Sequence, residues 1–121
     1  MSTKNKESTR YYSDLHEKSV CKALNAVQQP NSGAGKFKKG DCIQKDISML
    51  IECKCSTSEK NSFAIKKEWI DKNIVECKDM RMDNSCICFN FGPGTDNYYV
   101  ISEKLMALLV EYLCNLYKEG D

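Results

Sequence analysis

Apolar residues recur at three- and four-residue intervals from Tyr12 through His16, Val20, Ala23, Leu24 and Val27, the spacing of one helix face. Ser13 stands where an N-cap would accept from the first turn, and Asp14 and Glu17 follow where negative charge complements the helix dipole. Residues 25–30 predict a short strand, and the run Asn31-Ser32-Gly33-Ala34-Gly35 predicts a loop. Residues 41–43 and 49–55 predict two strands joined through the polar Gln44-Lys45-Asp46, an antiparallel hairpin. Helical spacing returns over 65–77 through Ile65, Trp69, Ile70, Ile74 and Cys77, after which Asp83-Asn84-Ser85 predicts a turn. Strands over 86–91 and 98–101, joined by Gly92-Pro93-Gly94, predict a second hairpin. Ser102 then caps a last helix, apolar through Leu105, Leu108, Leu109, Tyr112, Leu113 and Leu116 and ending near Gly120. Its apolar face is broad enough to fill a core or to bury a partner subunit. The order of elements predicts an α/β fold, a mixed sheet flanked by helices.

Composition fixes the scale. With 121 residues, 41% of them hydrophobic, the chain can build one core and not two, so 13–121 is expected to be a single domain. The preceding residues 1–12 are mostly polar and predict a flexible arm with no secretory or membrane-spanning character. Eight cysteines without such a signal are expected as reduced thiols in a cytoplasm, that of a bacterium or of a phage-infected cell. The net charge of +1, from 18 basic and 17 acidic side chains, identifies no partner by itself. Local clustering is more informative: Lys36, Lys38 and Lys39 directly precede Asp41, and Lys4, Lys6 and Arg10 lie on the arm. Lys66 and Lys67, beside Trp69, are further candidates for phosphate contact, with a solvated rim as the alternative. The glycine-containing loop lacks the Gly-Lys-Ser/Thr ending of a nucleotide phosphate loop and precedes a strand, so no such loop is implied.

Chemistry concentrates in the first hairpin. Alternate strand residues share a face, so Glu52 and Lys54 project together, about 7 Å apart along the backbone, while Cys53 and Cys55 point the other way. Charged side chains in a strand as apolar as Leu50-Ile51 need pairing or a function. The turn brings Asp41 across from the Glu52 region, and two carboxylates can hold Mg²⁺ with water and phosphate oxygen completing its octahedron. Phosphodiester hydrolysis needs a hydroxide, neutralised transition-state charge and a protonated leaving oxygen, and a carboxylate-bound metal beside a lysine meets those needs. A rival reading takes Cys53/Cys55 and Cys86/Cys88 as a zinc site. Cys-x-Cys within strands instead puts both sulfurs on one sheet face, where they pack under a helix.

At Gly40-Asp41, a ten-residue gap and Glu52-Cys53-Lys54, the chain resembles the PD-(D/E)XK nuclease superfamily, and within it the archaeal and phage Holliday-junction resolvases. The resemblance runs from about Leu15 to Phe91, with glycine at position 40 where the superfamily commonly has proline. It implies a restriction-endonuclease-like αβββαβ core, here with an added C-terminal strand and helix. It further implies Asp41 and Glu52 as metal ligands, the Cys53 carbonyl as another, Glu17 approaching from the first helix, Lys54 as the catalytic lysine and Ser32 near the scissile phosphate. The activity implied is Mg²⁺-dependent cleavage of branched DNA, with Mn²⁺ as a substitute, by a homodimer that makes two symmetric cuts in a four-way junction as in DNA recombination. A nicking or double-strand endonuclease of the same fold is the alternative enzyme, and a non-catalytic DNA-binding or interaction protein is the alternative of another class.

Overall fold

The computed structural model describes residues 2–29 and 41–120, with the side chains of 9–29 and 42–120. Helix α1 (Ser2–Leu24) leads into β1 (Val27–Gln28). Strands β2 (Asp41–Gln44) and β3 (Met49–Lys54) follow, then α2 (Lys67–Asp79), β4 (Asn84–Phe89), β5 (Tyr98–Val100) and α3 (Glu103–Glu119). The five strands lie in sequence order in one sheet. Only β3 and β4 run parallel, joined by the α2 crossover, while the other neighbours are antiparallel, so the sheet is mixed.

The β2–β3 hairpin forms where the alternating apolar pattern and polar turn place it. A short 3-10 turn, Lys45–Ile47, is capped by Gln44, whose side chain accepts from the Asp46 amide, and Ser48 closes it in the left-handed region at φ 50°. This turn sets a register of Gln44 with Met49, Ile43 with Leu50, Cys42 with Ile51 and Asp41 with Glu52. β3 is central and its residues Met49 through Glu52 are all buried, because α1 packs on one face of the sheet and α2 on the other. The α1 side holds the core cluster of Val20, Cys42, Met49, Ile51, Cys86 and Cys88.

Several expectations change here. α1 begins at Ser2, so the segment expected as a flexible arm contributes helix, and Ser13 is an internal helical residue rather than an N-cap. No Gly or Pro interrupts residues 2–24, and once the C-terminal half is packed each further turn extends an existing helix without a new nucleation cost. In α2 the buried positions are Asn73 and Cys77, while Ile74, expected in the core, is exposed. The chain reverses at Met80 and Arg81, Arg81 adopting φ 57°, and not at Asp83-Asn84-Ser85. Asn84 instead opens β4, its side chain donating to the Ile47 carbonyl at 2.7 Å.

Candidate active site

β3 delivers Glu52 and Lys54 to the α2 side of the sheet, opposite Cys53, as strand alternation requires. Glu52 is 2% exposed, and the Lys54 ammonium lies 3.9 Å from its Oε1. A buried carboxylate without a counter-charge costs several kcal/mol, and this lysine supplies opposite charge beside it. Lys54 is in turn held from the other side: its Nζ sits 4.7 Å from the centroid of the Trp69 ring, on α2. Trp69 belongs to an aromatic wall, with Phe63 at 6.1 Å and Phe63 stacked on Phe89 at 5.1 Å. The helical spacing identified Trp69 only as a core residue. Its contact with Lys54 spans a loop and a crossover, and nothing in local spacing encodes it.

Asp41 stands directly opposite Glu52 in the β2–β3 register. Cys53, between the two charged residues, pairs with Cys88 across β3–β4. The expected positions Ser32, Lys36, Lys38 and Lys39 lie outside the described residues. Lys66 Nζ is 5.6 Å from the Trp69 centroid, so it shares the rim of the ring with Lys54. Lys67 is engaged elsewhere, in an exposed ion pair with Asp71 at 2.8 Å.

Glu17 is placed differently. Its carboxylate accepts from Gln28 Nε2 at 2.8 Å, the same amide that bonds Asp14 at 3.0 Å, and its backbone carbonyl accepts from the Cys42 thiol. Those contacts belong to the α1 side of the sheet, whereas Glu52 and Lys54 face α2, so the fold does not gather Glu17 with the β3 pair. The helical period gave Glu17 a face of α1 but could not say which sheet face α1 would cover. Burial raises its pKa above the ordinary carboxylate value, and the Gln28 hydrogen bond partly opposes that.

Cys21, Cys42, Cys53, Cys86 and Cys88 pack on this same α1 side. Cys21 and Cys42 have sulfurs 3.2 Å apart, and Cys42 and Cys53 3.8 Å. Burial pushes the Cys86 and Cys88 thiols up to about 12, and both pack as small side chains in the core cluster. Among the described residues no group of three or more His, Cys, Asp or Glu side chains is arranged to hold a metal ion.

His16, the single histidine, is 4% exposed, with Nε2 3.5 Å from the Cys88 sulfur. It lines a cavity of about 420 Å³ with Tyr12, Ser19, Ser56, Asn90 and Asn97, between α1 and the loop after β4. This cavity opens on the α1 side and does not include Glu52 or Lys54. Burial lowers the His16 pKa below 6.5, with an Asn97 hydrogen bond opposing. The unfolded chain therefore binds a proton that the folded chain resists, and stability falls as pH drops through 6.5 toward the folded value. Unfolding free energies from denaturant titrations between about pH 7.5 and about pH 5.5 are expected to fall by up to about 1.4 kcal/mol per pH unit, and His16→Gln to flatten that slope. An unchanged slope in the variant would assign the acid sensitivity to other groups.

No family model matches the chain, and no curated protein or solved structure matches it significantly. Among the described residues no helix is long and apolar enough to cross a membrane.

Proposed function

We propose that this chain is a divalent-metal-dependent DNA endonuclease of restriction-endonuclease-like fold, with Asp41, Glu52 and Lys54 as its catalytic residues. The observation that carries the reading is a carboxylate buried on the central strand, its lysine partner two residues on, and an aspartate opposite it in the register. The order of helix, three strands, helix and strand, with the β3–β4 parallel pair, supports it as well.

The donor set fits a hard cation: Asp41 and Glu52, two carboxylate residues that are register partners across the hairpin, suit Mg²⁺, with Mn²⁺ as substitute, better than a soft metal. When bound, the ion supplies a hydroxide at neutral pH and neutralises charge on the phosphate oxygens. Glu52 holds its side of the site rigidly, because burial leaves it little freedom to turn away. Lys54, fixed between Glu52 and the Trp69 ring, presents its ammonium to the attacking oxygen or to the charge that develops on the phosphate. Lys66, beside the Trp69 ring, and Lys36, Lys38 and Lys39, just before Asp41 in sequence, are proposed to meet flanking phosphates. Glu17 is not included in this metal site.

Branched DNA, and a four-way junction in particular, is the substrate proposed first; a nicking or double-strand endonuclease is the second. The test is incubation of the full chain with synthetic four-way junction, linear duplex and single strand, in Mg²⁺ and in EDTA. Cleavage of the junction that disappears in EDTA is the expected result. Cleavage of duplex alone moves the reading to the second substrate, and no cleavage of any DNA with Mg²⁺ or Mn²⁺ overturns the enzyme.

A further inference from the structure

We infer that two copies of this chain associate through α3. This rests on the exposure of that helix and is independent of the nuclease reading.

α3 buries none of its residues against the described chain, and Leu105 near its start is the residue that packs on the core cluster. Eight large apolar side chains follow it into solvent: Met106, Leu108, Leu109, Val110, Tyr112, Leu113, Leu116 and Tyr117, each between 43% and 75% exposed. At about 100° per residue these positions fill one continuous arc of roughly 200°, while Glu103, Lys104, Ala107, Glu111, Cys114, Asn115 and Lys118 fill the rest. The eight side chains present on the order of 800 Å² of surface, above the roughly 300–600 Å² of the largest patch on an ordinary monomer. It also matches the area, about 800 Å² per partner, that a standard stable interface buries.

The chemistry of the face selects the occupant. From Leu105 to Tyr117 it carries no charge, with Glu119 bordering it only at the helix end, so it offers little for a charged partner to complement and is complementary to itself, as a two-fold interface requires. Leu105, Leu109, Tyr112 and Leu116 follow a four-three-four spacing, the seam on which helices pair. A lipid surface is disfavoured because the polar side and helix end hold Lys104 and Lys118 against Glu103, Glu111 and Glu119, without the basic excess that anionic headgroups select.

Sedimentation equilibrium of the full chain across the micromolar range is expected to give a dimer. Leu109→Glu/Leu113→Glu should weaken the dimer on the order of a hundredfold or more, since it buries charge at the centre of the face. Ala107→Glu, on the polar side of the same helix, should leave it unchanged. Far-ultraviolet circular dichroism checks that both variants keep the wild-type helix content; if the double variant does not, Leu109→Gln, which removes apolar contact without burying a charge, takes its place. A wild-type monomer throughout the range overturns the inference, whether or not it binds anionic vesicles, and so does a dimer that survives these substitutions.

Discussion

Glu52→Gln is expected to reduce metal-dependent DNA cleavage by at least about a hundredfold while the protein stays folded. The substitution keeps the shape of a side chain that is 2% exposed, so the strand and the apolar residues on either side of it are undisturbed. What it removes is charge: a neutral amide oxygen is a weaker partner for a divalent cation, and Lys54, 3.9 Å away, loses its counter-ion. An amide is also cheaper to bury than a carboxylate, so thermal stability should hold or rise slightly. Those two readouts together separate the candidate roles. Lost cleavage with an intact melt supports a metal ligand, lost cleavage with a collapsed melt makes Glu52–Lys54 a structural ion pair, and full cleavage would falsify the assignment of this site.

The pair and its hairpin were legible in the sequence for a physical reason. A strand repeats every two residues, so Glu52 and Lys54 had to share a face, and a short polar turn between apolar runs left few registers in which Asp41 could fall far from Glu52. The capping of α3 by Ser102 was legible in the same way, since its side chain accepts from the Leu105 amide three residues on. Information that depends on packing was not local. The period of α1 placed Glu17 on the helix but not relative to the two sheet faces, and the period of α2 could not tell that Asn73 and not Ile74 turns inward. The leucines of α3 show the limit most plainly: a broad apolar arc looks the same in sequence whether it fills its own core or waits for a partner. Trp69 over Lys54 is a contact of tertiary structure alone.

Ile51→Ala is expected to cost about 3–5 kcal/mol, near the upper end for a core truncation and a large share of the roughly 5–15 kcal/mol that holds a domain together. Ile51 is fully buried, and its register partners on both sides are cysteines, Cys42 on β2 and Cys86 on β4. A large side chain flanked by two small ones on the central strand carries most of the volume of that layer, with Val20 of α1 above it. Small neighbours have few atoms with which to fill the space an alanine would leave, and the strand cannot shift without breaking ladders on both edges. The cavity therefore persists, and the penalty includes the lost contacts of its lining as well as the transfer of the removed groups. Ile51→Val, which removes one methyl group, should cost only about 0.5–1.5 kcal/mol. Urea denaturation of both variants measures the difference, with unchanged slopes showing that the transition remains two-state. A cost for Ile51→Ala below about 2 kcal/mol would mean that α1 closes down onto the sheet, and that the thiol-lined layer is more compliant than its packing implies.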